Sequence, residues 1–186
     1  MKKFLLITAP IFVILTGISV WAWLCFGLSI FLTLSITFGT TAYHFVMRLI
    51  VGFTFNIFMG NKADLSKKWY HGYEFEKKLY DFLKIRKLKK NVPTFDRSLF
   101  DPRSHTWQEI AEAMCQAELV HETIAVLSFL PIIAGVWFGE FPVFIITSVL
   151  AALFDLYLAT VQRYNRPRII KHISESKKGS ELHSVL

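Results

Sequence analysis

Glu118 and His121 stand three residues apart, which puts a carboxylate and an imidazole on one helical face, with Glu122 beside them. A carboxylate that holds one ring nitrogen fixes the tautomer and raises the basicity of the other, as a general base requires. Further on, Gln162-Arg163-Tyr164-Asn165-Arg166-Pro167-Arg168 gathers three guanidinium groups, two amides and a phenol. That density of donors suits phosphate, as on coenzyme A or a lipid headgroup. The plain alternative is a basic stop signal after a membrane helix. His44 and Arg48 lie four apart on another helical face. An arginine at a helix end commonly snorkels to the headgroups, but His44 lies a turn deeper, where an ionisable group marks a site. Asp155 interrupts the last apolar stretch, where an ionised carboxylate costs on the order of 2.5–3.5 kcal/mol. It must be protonated or paired with a polar group on the second helix.

The elements that position these groups follow from composition. Of 186 residues, 53% are hydrophobic and 16% aromatic, and the mean hydropathy is +0.42, too apolar for an ordinary soluble domain. The apolar residues come in long blocks, so the predicted fold class is an all-α integral membrane protein with four transmembrane helices. The net charge of +7 does not point to nucleic acid, because of where it sits. Lys2 and Lys3 precede the first block, twelve Lys or Arg lie between Lys62 and Arg103, and six between Arg163 and Lys178. This positive-inside pattern predicts a multi-pass cell-membrane protein with both termini and the middle segment in the cytoplasm. Membrane lipid is the partner such charge implies, and no nucleic-acid partner is expected.

The predicted organisation is a transmembrane hairpin over 1–59, a cytoplasmic or interfacial segment over 60–116, a second hairpin over 117–168 that ends in the arginine motif, and a tail over 169–186 expected to be disordered. Helix one covers about Phe4 to Leu24 and is read as retained rather than as a cleaved signal peptide, being longer than an h-region. Helix two starts near Leu28 and should meet the headgroups at His44 and Arg48, with the remainder to Phe58 an interfacial or re-entrant extension. Asp64 should cap an amphipathic helix whose apolar side carries Trp69, Tyr73, Phe75, Leu79, Phe82 and Leu83, ended by Pro93 after the basic run 86–91. Thr106 and Glu109 form a capping box. Pro131 should kink helix three, Gly139 to Pro142 should turn the chain, and helix four should end near Tyr164. With an even number of spans, both hairpins bring their ends to one side, so His44/Arg48, Glu118/His121 and Arg163/Arg166 are expected at one depth. Cys25 and Cys115 fall on opposite sides, so no disulfide is expected. A dinuclear carboxylate site would need a second Glu-x-x-His, and His71, His105, His172 and His183 have no ligand spacing, so no metal is expected.

The chain resembles the glycosyl-4,4'-diaponeurosporenoate acyltransferase family, small bacterial membrane proteins that esterify the sugar of a glycosylated carotenoid. The likeness lies in Tyr43, His44 and Arg48, then in Trp69, Glu76, Tyr80, Ile85, Lys87, Lys89 and Pro93. It is closest in Ala117-Glu118-Leu119-x-His121 and in Gln162 to Arg168. The family pattern has Asn followed by Leu-Pro where this chain has Asp155-Leu156-Tyr157, and Trp where it has Leu88. The resemblance implies acyl transfer to a lipid-like glycoside from acyl-CoA or an acyl carrier protein, with the thioester as co-substrate and no bound cofactor. On that reading His121, oriented by Glu118, or alternatively His44, takes the acceptor proton. Arg48 or Arg163 meets the oxyanion, and Arg166 and Arg168 hold donor phosphate, with Gln162, Asn165 and Asp155 also lining the substrate. No serine or cysteine is placed as an acyl-enzyme nucleophile, so direct transfer is expected. The alternatives are a non-enzymatic small membrane partner anchored by its arginines, and a transporter using Asp155 and His44. The transporter would need a polar path on helix one, which offers only Thr8, Thr16 and Ser19.

Overall fold

Within lipid, every backbone N–H and C=O has to be satisfied inside the chain, and a long apolar block achieves this as a helix. A computed structural model of the protein describes residues 2–70, 73–82, 85, 96 and 98–184, with the side chains of 74, 75, 77 and those beyond 175 left aside. The described residues form helices and connecting turns with no strand. The helices are α1 (Lys2–Phe26), α2 (Ser29–Met59), α3 (Glu74–Phe82), α4 (Trp107–Leu127), α5 (Pro131–Phe138) and α6 (Phe141–Ser184), with 3-10 turns at Lys68–Tyr70 and Ser98–Phe100. Four stretches are long and apolar enough to cross a membrane: Lys2–Phe26, Ser29–Met59, Trp107–Phe138 and Phe141–Glu175. They fit a multi-pass membrane protein. Leu6, Ile7, Ile14, Trp21 and Leu24 of α1 face outward, as a lipid-facing surface does.

The chain divides into two compact units, Met1–Thr54 with Glu122–Leu156, and Phe55–His121 with Tyr157–Leu186. In the first, α1 and α2 are joined through Gly27, whose φ of 65° suits a residue without a Cβ. They pack through small buried residues, Ala9, Ser19 and Ala22 on α1 and Thr40 and Ala42 on α2. Phe12 fills the gap against Phe38 and Phe45, with ring centroids 6.1 and 5.6 Å away. In the second unit the core is Ile110, Ala111, Met114 and Cys115 of α4 with Leu158, Ala159 and Val161 of α6.

Several boundaries differ from the sequence reading. The stretch after Arg48 is neither re-entrant nor separate: α2 runs unbroken to Met59 and ends at Gly60, whose N–H bonds Asn56 O at 3.0 Å. Pro131 breaks helix three outright, as residue one of α5 after the turn 128–130. Its missing N–H cannot serve the Leu127 carbonyl, which accepts instead from the Leu130 N–H at 3.1 Å and the Tyr43 hydroxyl at 2.8 Å. Pro167 does not end helix four, and the tail expected to be disordered continues α6 to Ser184. The turns beyond the proline are tied down by a stacked contact between Trp107 and His172, centroids 5.8 Å apart, and by the Lys171–Glu175 pair at 3.6 Å.

The segment expected as one helix from Leu65 is a 3-10 turn followed by the separate α3. Asp64 closes only a local turn, accepting from the Ser66 amide and hydroxyl at 3.0 and 2.6 Å. His71, Leu83, the basic run 86–91 and Pro93 lie outside the described residues. The capping box is present, with Thr106 N–H donating to Glu109 Oε2 at 2.7 Å and Glu109 N–H to Thr106 Oγ1 at 3.2 Å.

Candidate functional site

The polar residues singled out in the sequence fall into two buried clusters, one in each unit. Glu118 is fully buried on α4. A carboxylate there needs compensating charge, and α6 supplies it twice. Arg163 donates through Nη1 to Glu118 Oε1 at 2.8 Å, and Arg166 donates through Nη1 to Glu118 Oε2. Three residues separate the two arginines, so they share a face of α6 with buried Gln162. Arg163 also reaches α3, donating through Nε to Glu76 Oε1 at 2.8 Å. Two carboxylates and two guanidinium groups thus neutralise one another.

Aromatic rings enclose this lattice. The guanidinium of Arg163 lies 5.8 Å from the ring centroids of both Trp69 and Tyr73, and that of Arg166 lies 5.1 Å from Tyr70. Arg166 Nη2 donates to the Tyr70 carbonyl at 2.6 Å. Tyr80 donates its hydroxyl to Glu76 Oε2 at 2.7 Å and meets Tyr164 edge-on at 5.3 Å. Burial, followed by the hydrogen bond to Glu76 and its charge, holds the Tyr80 phenol above its ordinary pKa.

The structure gives Glu118 two arginines as partners. His121 is half-buried on α4, one turn further on. Arg166 has no exposed surface and uses both terminal nitrogens inside the protein, so it positions Glu118 and Tyr70 rather than reaching a phosphate in solvent. Asn165 is half-buried. Arg168 is exposed and donates to the Tyr164 hydroxyl at 2.6 Å.

In the other unit, Asp155 is fully buried on α6 and pairs with Arg48 Nη2 of α2, the kind of partner its depth requires. Arg48 Nη1 donates to the His44 carbonyl at 2.9 Å. His44 is 5% exposed, stands edge-on to Tyr43 at 5.5 Å, and neither of its ring nitrogens has a hydrogen-bond partner. His44, Arg48 and Asp155 belong to one unit, and Glu118, His121, Arg163 and Arg166 to the other.

Sequence reasoning passed over Glu76 and Tyr80 as site residues and could not have found the Tyr70 carbonyl. Glu76 stands beside Lys77 and Lys78, and its signals were its four-residue spacing from Tyr80 and the place of both in the family resemblance. Among the described residues no group of three or more His, Cys, Asp or Glu is placed to hold a metal ion.

No curated protein and no solved structure was found to match the chain. The family model for glycosyl-4,4'-diaponeurosporenoate acyltransferase matches residues 66–175, more than half of the chain. The matched stretch holds every member of the aromatic-walled lattice, together with Asp155 and His121. The protein belongs to the glycosyl-4,4'-diaponeurosporenoate acyltransferase family.

Proposed function

We propose that the protein is a cell-membrane O-acyltransferase that moves a fatty acyl group from a cytosolic thioester, acyl-CoA or acyl carrier protein, to a hydroxyl of a lipid-like glycoside. The observation that carries this reading is the family match across 66–175. In the proposed reaction the acceptor proton passes to His121 or His44 while its oxygen attacks the thioester carbonyl. An ester bond forms, the carbon–sulfur bond breaks, and the proton is returned to the leaving thiolate. The charges of Arg48 or Arg163 favour the transient oxyanion. Arg168, exposed on α6, is the arginine suited to donor phosphate.

The proposed orientation puts both termini and the segment 60–116 on the cytoplasmic side, following the basic residues. Around α3 the inward side is polar, with Glu76 buried and Tyr80 half-buried. Trp69, Tyr73, Leu79 and Phe82 are exposed, at 55%, 50%, 42% and 81%. Such an arrangement suits a segment lying on the bilayer surface.

Wild-type protein in vesicles, given radiolabelled palmitoyl-CoA and a glycosylated carotenoid or a simpler glycolipid, is expected to form the acyl ester. His121→Ala and His44→Ala are then compared. Loss in one variant that still inserts and folds identifies the base. Full activity in both would remove histidine from the mechanism, and no transfer by the wild-type protein to any glycolipid acceptor would refute the reading.

A further inference from the structure

Two buried side chains of the first unit have polar atoms with no hydrogen-bond partner in the protein: His44, through both ring nitrogens, and Ser148, through its hydroxyl. His44 is 5% exposed and Ser148 0%. Many serine and threonine hydroxyls of the long helices bond back to their own helix, as Thr147 does to the Val143 carbonyl at 2.7 Å and Ser128 to the Ile124 carbonyl at 2.8 Å. Ser148 does not. Leaving a polar group unmet in an apolar interior costs about 1–3 kcal/mol. Two such groups in one unit call for a common explanation.

Their placement supplies it. Ser148 precedes Asp155 by seven residues, two turns along one face of α6. His44 precedes Arg48 by four, one turn along one face of α2. The Arg48–Asp155 ion pair joins those two faces. In a four-span chain the second and fourth spans run in the same direction, so both groups lie on the N-terminal side of the pair. At 1.5 Å of rise per residue, His44 stands about 6 Å and Ser148 about 10 Å beyond it. Neutral imidazole offers one donor and one acceptor, and a serine hydroxyl offers both. Together they complement an alcohol, which both donates and accepts.

We infer that His44 and Ser148 form a hydroxyl-recognition site between α2 and α6, where the acceptor alcohol of the proposed transfer is held. This rests on the acyl-transfer reading and deepens it, since it makes His44 the group that meets the acceptor oxygen. The Arg48–Asp155 pair closes the site on one side and fixes the two helices in register.

The test is photo-crosslinking of the full-length protein in vesicles, using dodecyl β-glucoside with a diazirine next to the sugar. A reference probe carries the same chain and a trimethylammonium headgroup. The glucoside is expected to label peptides spanning 41–51 and 145–155, and the reference probe to leave them unlabelled. His44→Phe should cut that labelling about tenfold and Ser148→Ala about threefold, as loss of one buried hydrogen bond each implies. Equal labelling by both probes, or labelling unchanged in H44F, overturns the site and leaves the two groups to water. Should H44F fail to fold, S148A decides alone, since it removes one oxygen and unchanged labelling again overturns the site. Transfer of palmitate to the glucoside is read in the same vesicles. Labelling without transfer keeps the hydroxyl site and fails the acyl-transfer reading; transfer without labelling of these helices does the reverse.

Discussion

The two buried clusters handle charge in opposite ways. In the unit built on α3, α4 and the second half of α6, Glu76 and Glu118 face Arg163 and Arg166, and each carboxylate is met by at least one guanidinium group. In the unit built on α1, α2 and the first half of α6, Arg48 and Asp155 satisfy each other, and His44 is left with two unmet nitrogens. A lattice in which every carboxylate is met holds helices together, and of its buried arginine nitrogens only Arg166 Nε is left unmet among the described residues. An ion pair with an unmet imidazole beside it has less cross-linking and more chemistry. The arginine motif, which drew attention as a binding site, is thus first a fastening, and the early helix carries the group with capacity to react.

The largest predicted effect is loss of the fastening. Glu118→Ala removes the shared partner of two arginines, one of them fully buried, and should lower unfolding free energy by about 3–5 kcal/mol. Thermal unfolding in detergent measures it. Glu118→Gln keeps the shape but not the charge and should recover only part of the loss. If E118A unfolds like the wild-type protein, the lattice is not structural, and the contrast between the clusters collapses.

Asp155→Ala should cost somewhat less, roughly 3 kcal/mol, because Arg48 retains some exposure and the His44 carbonyl. Here the two-member pair allows a cleaner experiment. Arg48→Met with Asp155→Leu replaces both charges by apolar side chains and should unfold within about 1.5 kcal/mol of wild type. A double variant as damaged as D155A would show that the pair does more than neutralise itself. His44→Ala sharpens the comparison from the other direction. It removes two unmet polar atoms, so stability should stay level or rise, while acyl transfer falls by about 10²-fold or more if His44 is the base. A fall in stability without a fall in transfer would make His44 a packing residue.

How much of this was legible depends on the range of the interaction concerned. The spans, the turns at Gly27 and Gly139 and the Thr106–Glu109 box rest on apolar length and local hydrogen bonding, and a sequence carries such information directly. Asp155 was legible as a problem, because a carboxylate in an apolar helix needs a partner whatever the fold. That the partner would be Arg48 rather than another polar group was a matter of register between helices, which no local pattern encodes. The Glu118–His121 spacing was local and visible, whereas the bonds from Arg163 and Arg166 to both Glu118 oxygens cross between helices and have no local signal. Glu76 entered only through the family resemblance and not as a site residue, because its burial on one side of α3 is decided by what packs there and no local pattern encodes that. Proline was read too strongly at Pro167 and too weakly at Pro131. Contacts further along α6 hold the helix past the first, and the Tyr43 hydroxyl stabilises the break before the second.

The smallest effect tests the edge of the lattice. Tyr80 meets Glu76 through one hydrogen bond, so Tyr80→Phe should cost about 0.5–1.5 kcal/mol, well below E118A. Its titration gives a second, independent readout. The folded phenol holds its proton above the ordinary value of 10.0, through burial first and the adjacent Glu76 carboxylate second. A group whose pKa is raised on folding contributes stability that is fully present below the unfolded value and is lost as pH rises through the folded one. Stability should therefore begin to fall above about pH 10 and fall less steeply in Y80F. Ultraviolet difference spectra should show fewer tyrosinates in the wild-type protein at pH 11 than after unfolding, and the difference should shrink by one in Y80F. If Tyr80 ionises with the solvent-exposed tyrosines, Glu76 is not held beside it. The lattice would then end at Glu118, leaving two arginines to one carboxylate and a positive charge available for an anionic ligand after all.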